Sequence, residues 1–367
     1  MTFAPSTLNV EHAAELKPHL RRLVETDYPL YFRALVSGEA VPAAEVLSAF
    51  VDARLAEEAD GTVTFHARCS RVGTDFIFTD RADYVGEDRV LYLSDNESLL
   101  RAQTLPDCRE GRVLDVGTGS GVQTVAAFRR GATSVVSVDI NPRATDMARF
   151  NLALNGLPTD GVVLTDFAEL ESDAPFDLMV SNPPFVPVPP DTQFMRSGAS
   201  GQDGLDFIRL LLERRTALLA KGGTFCLVSI SVGPFAFSEL ERLLVADYHQ
   251  ESVRIDVQTI FPAPAPIEDF IDVFGDLSTA NDWRKSLRAA GFTHLHNLLV
   301  TVSKAPLSEF RRTALARTLP PVGENKGSVD WPDYLDEVRL ARASAQQTCS
   351  LSPGLDRASN TGNCPQP

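Results

Sequence analysis

The sequence predicts an α/β fold: an open parallel sheet with helices on both faces, preceded by a mainly helical accessory region. Three observations carry this. From residue 111 onward, short apolar runs alternate with segments of helical periodicity. The first of those runs, Val113-Leu-Asp-Val116, stops at a glycine-rich turn, Gly117-Thr-Gly-Ser-Gly121, that leads straight into a helical pattern. Upstream, residues 11–59 show apolar side chains at helical spacing.

In the accessory region, Leu16, Leu20 and Leu23 recur on one helical face, followed by Tyr31, Leu35 and Val36, and the pair Ser37-Gly38 ends this unit. A second helix is expected after Pro42, placing Val46, Leu47, Phe50, Val51 and Leu55 along one side. Strand-like runs follow at 62–65, 75–78 and 90–93. Tyr28, Tyr31 and Phe32 form an aromatic group that either packs in a core or covers a ligand.

Further on, strands are expected at 113–116, 134–139, 161–165, 176–180, 224–229, 253–257 and 296–302, with helices at 123–129, 143–154, 205–219 and 237–245. Residues 258–291 interrupt the pattern with Phe261-Pro-Ala-Pro-Ala-Pro266 and an acidic-aromatic stretch, Glu268 to Phe274. Insertions on the ligand side of such sheets often select substrate. A last helix is expected at 308–317, loop at 320–327, and a polar tail without a fold at 341–367. The domain reading is therefore 1–105 accessory, 106–305 α/β domain with the insertion, and 306–367 C-terminal extension.

Composition narrows the partners. The chain of 367 residues has a formal net charge of −15, and residues 1–103 carry 10 Lys/Arg against 17 Asp/Glu. Such a balance repels a phosphate backbone and disfavours nucleic-acid and membrane-surface binding. Five scattered cysteines form no CxxC pair, and the six histidines show no ligand spacing, so no metal site is expected. Reduced thiols, the absence of a secretory signal pattern and the lack of a long apolar run point to the cytoplasm.

The chemistry is expected at the ends of the strands. Glycines at 117, 119 and 121 allow a sharp turn and close approach of a ligand to backbone, and the helix that follows aims free N–H groups at the same point. On its own this could be a glycine-rich turn of another α/β domain. The next strand ends in Asp139-Ile140-Asn141, with a carboxylate about 20 residues past the loop, placed to accept ribose hydroxyls. Asp115 precedes the loop, where it would oppose a pyrophosphate but suits a ligand bearing an ammonium group. That points to S-adenosyl-L-methionine rather than a dinucleotide. Asp166, ending the third strand, could accept from an adenine amine with Phe167 against the base; the plain alternative is a helix N-cap.

The fourth strand ends in Ser181-Asn182-Pro183-Pro184-Phe185. Two prolines fix the backbone, so the Asn182 carboxamide and the adjoining carbonyls keep a set direction. They can accept from a planar amino or amide group and align its nitrogen without a strong base, while Phe185 stacks on the flat group.

With these residues in place, the chain resembles the class I S-adenosylmethionine-dependent methyltransferases. It looks most like their Asn-Pro-Pro-Tyr/Phe group, which includes the glutamine N5-methyltransferases of release factors and ribosomal proteins and the ribosomal-RNA guanine-N2 methyltransferases. The resemblance covers 113–230 well and 294–304 loosely. It implies a Rossmann-like seven-stranded sheet, with Asp115, Gly117, Thr118, Gly119 and Gly121 around the methionine arm. It also implies Asp139, Ile140 and Asn141 at the ribose, Asp166 and Phe167 at the adenine, and Asn182, Pro183, Pro184 and Phe185 at the acceptor nitrogen, with Asn182 also among the cofactor-binding residues. Gly201-Gln-Asp-Gly-Leu205 and Lys221-Gly-Gly223 resemble the glutamine branch in layout. Phe at 185 instead of Tyr, the 258–291 insertion and the C-terminal extension depart from it. The expected acceptor is a planar nitrogen of a small molecule or of a protein side-chain amide. Three alternatives remain open at this level: guanine-N2 methylation of ribosomal RNA, cyclisation of S-adenosylmethionine's own side arm with release of methylthioadenosine, and a non-catalytic binding module.

Overall fold

The computed structural model describes residues 8–46, 48–81, 83–84, 86–93, 97–188, 198–249, 251–274 and 280–315. The N-terminal part begins with α1 (Ala13–Thr26), which buries Ala13, Leu16 and Leu20 as its spacing requires. Asp27 then caps α2 (Tyr28–Tyr31) by accepting from the Leu30 N–H at 3.1 Å. A widened helical turn over Phe32–Ser37 ends at Gly38, whose φ of 76° lies in the left-handed region.

The expected second helix is only one turn, α3 (Ala49–Asp52). Val41–Pro42 instead forms β1, and the chain passes through Arg54 at φ 62° into a hairpin of β2 (Ala56–Ala59) and β3 (Thr62–Phe65). The apolar positions 50 and 55 are buried either way, so periodicity alone did not distinguish the two paths. Strands β4 (Ala67–Val72) and β5 (Asp75–Asp80) form a second antiparallel pair. Residues 90–93 are not a strand. Val90 exchanges one pair of contacts with Asp80 instead, donating its N–H to the Asp80 carboxylate at 2.7 Å.

Tyr31 is fully buried, donates its hydroxyl to the Cys69 carbonyl at 3.2 Å and meets the Phe76 ring edge-on. Of the two readings of the aromatic group, core packing is therefore the one realised at Tyr31. This core runs directly onto α6 (Pro142–Leu154), which contributes Ala144, Met147, Phe150 and Leu154.

The central sheet is built from β6 (Arg112–Val116), β7 (Ser134–Asp139), β8 (Val162–Leu164), β9 (Phe176–Ser181), β10 (Leu219–Gly233), β11 (Val253–Thr259), β12 (Ala265–Pro266), β13 (His294–Lys304) and β14 (Glu309–Ala314). Its order is β14-β11-β13-β10-β9-β6-β7-β8, with β12 added beside β13. Helices α4 (Ser98–Gln103), α5 (Val122–Arg129), α7 (Asp206–Leu218) and α8 (Glu239–Asp247) complete the layers with α6. Strands β8, β7, β6, β9 and β10 run parallel, whereas β13 is antiparallel to both β10 and β11.

All seven expected strands are present, and two more join them. Residues 309–314, expected as a helix, pair in parallel with β11. Phe310 to Ala314 are exposed, and the ladder with β11 pairs their backbone groups. In the insertion, α9 (Ile267–Phe274) and α10 (Ala280–Ala289) follow β12. Residues 320–327 and 341–367 lie outside the described residues.

Register places the site. Val116 stands beside Val138 on one side and Ser181 on the other. Asp139 stands beside Leu164, and Leu227 beside Ser181. The residues at or just past these strand ends, Gly117, Asp139–Ile140 and Asn182, therefore line one carboxyl edge, with neighbouring strands about 4.8 Å apart.

Candidate active site

The glycine loop follows β6. Gly117, Gly119 and Gly121 have φ of 70°, 53° and 79°, a region that an L side chain rarely occupies. A Cβ on Gly117 would meet nothing within 4 Å, and on Gly119 nothing nearer than 4.0 Å, so both border open space. Gly121 differs: a Cβ there would come within 3.2 Å of Ala148 on α6. It permits close packing of α5 on α6, while the other two leave room for a ligand.

Asp115 is fully buried. Its Oδ2 accepts from the hydroxyls of Thr118 at 2.8 Å and Thr124 at 2.7 Å, and Ser137 stands 2.6 Å from Thr124. Its Oδ1 is buried and has no donor among the described residues. Burial raises the carboxyl to a pKa of about 6, against the lowering effect of the two threonines.

The sign of the linkage follows. A carboxyl whose folded pKa lies above its unfolded value favours folding while protonated, and that contribution is lost as pH rises from about 4 to about 6. Through Asp115 the ligand-free chain is therefore expected to lose up to about 3 kcal/mol of stability across that window, and Asp115→Asn should remove this share of the slope. Denaturant titrations between these pH values check it. Asp139, itself raised by burial, adds to the slope in the wild type and retains its share in the variant.

Asp139 ends β7. Its Oδ2 accepts from the Gly119 N–H at 2.9 Å and its Oδ1 from the Asn141 N–H at 3.0 Å, so it shapes the loop from the opposite strand. Ile140 beside it is exposed. Asn141 caps α6 by accepting from the Arg143 N–H at 3.0 Å, and donates to the Asp88 carbonyl at 2.7 Å. That bond brings a segment of the N-terminal part to this end of the sheet. Asp166 caps the short turn Phe167–Glu169 by accepting from the Ala168 N–H at 2.9 Å, and Phe167 is buried against the Phe207 ring.

At the end of β9, Ser181 donates to the Val116 carbonyl at 2.8 Å, locking the two strand ends. Asn182 follows, its Oδ1 buried without a donor among the described residues. Pro183 is buried, and Pro184 and Phe185 are partly so. Gln123, in the first turn of α5, is a residue that sequence reasoning missed. It donates to the Ser98 carbonyl at 2.8 Å while its Oε1 is buried and unpartnered among the described residues. Thr124 and Ser137 were also missed; the only signal for them is a run of hydroxyl side chains flanking an acid near a glycine turn.

Oxygens on Asp115, Gln123 and Asn182 thus offer acceptors without donors among the described residues, the complement of ammonium or amide N–H groups. Two clefts lie elsewhere. One of about 700 Å³ runs between α8 and β14, past Phe237, Leu243 and Phe310. The other, of about 440 Å³, is bordered by Phe235, Phe261 and Pro262. His296 lies at the second cleft, buried and held between the Pro234 carbonyl and Arg312. Among the described residues no group of three or more His, Cys, Asp or Glu side chains could hold a metal ion. No helix among them is long and apolar enough to cross a membrane.

Comparison with known proteins finds similar chains. Residues 93–232 match the methyltransferase small domain family. A Methanocaldococcus jannaschii protein assigned as a protein N5-glutamine methyltransferase is 29% identical over 154 residues, 39% of this chain and 73% of that one. The release factor glutamine methyltransferase of Deinococcus radiodurans is 36% identical over 139 residues, 35% of this chain and 49% of that one. The ribosomal protein L11 methyltransferase of Pelobacter propionicus is 52% identical over 71 residues, 19% of this chain and 22% of its own. The match thus spans about half the length of the release factor enzyme. Over residues 93–232 the chain is similar to the S-adenosylmethionine-dependent methyltransferases of the small-domain family.

Proposed function

We propose that the chain methylates the amide nitrogen of a protein glutamine side chain. The observation that carries this is the Asn182 Oδ1, buried without a donor among the described residues, one strand away from the open glycine loop. It can accept one hydrogen of a planar –NH₂ group, and the Pro183 carbonyl can accept the other. Phe185 then lies against the flat amide. Two hydrogen bonds to one nitrogen fix its plane and turn its lone pair toward the loop, which is a matter of orientation and needs no strong base. The relatives named for glutamine methylation support the choice of acceptor.

The residues present fit S-adenosylmethionine. Asp115 Oδ1 and Gln123 Oε1 match its ammonium group, Gly117 and Gly119 leave space beside them, and Asp139 with Ile140 borders the adenosine side. When bound, this cofactor supplies an electrophilic methyl group on a sulfonium sulfur. An ammonium beside Asp115 lowers the pKa of that carboxyl, so cofactor affinity should rise with pH up to about 6.

The reading is tested with methyl-labelled cofactor and an unmodified bacterial release factor as acceptor, mapping the label by peptide mass spectrometry. One methyl group on a glutamine side chain is expected. Label found in RNA but not in protein would overturn it, as would methylthioadenosine released without any acceptor.

A further inference from the structure

We propose that the insertion of residues 258–291 is the acceptor-side brace of the active site, with Trp283 as the positioning residue that fixes the Pro187 carbonyl and, through it, residues 182–188. The proposal rests on the reading of Asn182–Phe185 as the acceptor-binding stretch.

Residues 182–188 contain three prolines, so fewer N–H groups are available to anchor them and carbonyls serve as well. One side is held by residues 198–204. The Val186 N–H donates to the Gly198 carbonyl at 2.7 Å, the Val188 N–H to the Gly201 carbonyl at 2.8 Å, and the Ser200 N–H to the Val186 carbonyl at 3.0 Å. Gly204 presses on the same stretch, since a Cβ there would fall 2.2 Å from the Phe185 carbonyl oxygen.

The other side is held by the insertion. Trp283 of α10 is 2% exposed and donates its indole N–H to the Pro187 carbonyl at 2.6 Å. A buried indole N–H needs such a partner. The ring meets Phe270 of α9 edge-on at 5.9 Å. Both belong to one apolar cluster that also contains Val186 and Val188, with Phe185 packed against it.

Strand geometry shows why a brace is needed. β10 pairs with β9 only as far as Leu227, beside Ser181, and then runs on to Gly233 paired with β13 alone. Val228, Ile230 and Val232 therefore project an apolar face beyond the level of Asn182. The insertion covers that face and joins it to the acceptor stretch.

The test uses the full chain with Trp283→Phe, which keeps an aromatic ring and loses the donor. Hydrogen exchange at the amides of Phe185, Val186 and Val188 should accelerate about tenfold, the loss of one buried hydrogen bond. Exchange in 113–125 and the dissociation constant for S-adenosylmethionine should not change. With unmodified release factor as acceptor, kcat should fall about tenfold or more at saturating cofactor. If the phenylalanine variant does not fold, 3-benzothienylalanine at position 283 retains the ring volume without the N–H.

Unchanged exchange at 185–188, or equal acceleration at 185–188 and 113–125, overturns the proposal. A release factor left unmethylated by the wild-type chain would sink the glutamine reading alone, because the exchange measurement needs no acceptor.

Discussion

Asn182→Ala is expected to lower kcat for methyl transfer by about 10²–10³-fold, the usual cost of removing one preorganised polar group from a reacting centre. Cofactor affinity should be unchanged, because Asp115, Gln123 and Asp139 lie on other strands and helices. The stability of the variant separates this from a folding defect. Asn182 Oδ1 is desolvated and accepts nothing among the described residues. Its removal relieves a buried unsatisfied acceptor, so the melting temperature should hold or rise. Steady-state kinetics at saturating cofactor, calorimetry of cofactor binding and a melting curve together decide the matter. Turnover at the wild-type rate with cofactor bound would exclude Asn182 from orienting the acceptor.

Asp80→Ala is expected to destabilise the chain by about 3–5 kcal/mol, the range for leaving one member of a buried ion pair alone. The Asp80 side chain is 0% exposed and that of Arg143 is 10% exposed. Asp80 accepts from Arg143 Nε at 2.8 Å and from the Val90 N–H at 2.7 Å, and Arg143 lies 4.5 Å over the Tyr84 ring. Removing the acid strands a guanidinium between two parts of the molecule. The pair Asp80→Ala with Arg143→Met should recover much of the loss, since the cost lies in the orphaned charge rather than in the missing bond. Chemical denaturation of the three variants measures this. A single-variant loss under about 1 kcal/mol would contradict the burial argument.

The Asp80→Ala change should also weaken cofactor binding. The segment after β5 supplies the Asp88 carbonyl to Asn141, whose own N–H binds Asp139. The N-terminal part thereby supports the residue proposed for the ribose. A second tie is Asp75, which receives Lys17 from α1 at 2.8 Å and Arg129 from α5 at 2.8 Å.

The glycine turn, the acid at the end of β7 and the Asn-Pro-Pro-Phe stretch were legible because each is local. A positive φ, a strand end and a proline-fixed backbone are written into a few consecutive residues. The alternation of strands and helices was legible for the same reason, since periods of about 2 and 3.6 residues show in short windows. Residues 309–314 were not, because their ladder comes from β11, more than 50 positions earlier. Neither was the one-turn α3, where the hairpin that follows takes over residues a longer helix would have used.

The glycine loop itself divides along this line. That Gly117, Gly119 and Gly121 permit a tight turn follows from the sequence alone, because a missing Cβ is a property of the residue. That Gly117 and Gly119 face open space while Gly121 meets Ala148 was decided by how α5 and α6 pack. In the same way, Asp115 is an acid before a loop in the sequence. Burial and two threonine hydroxyls make it a half-satisfied carboxyl with a raised pKa. The insertion shows the widest gap between the two: in the sequence it is an interruption of the kind that often selects substrate, and only folding brings Trp283 to Pro187, 96 positions away. Local conformational preference acts within a turn or two of chain, whereas burial and partner choice depend on which distant segments the sheet order brings together.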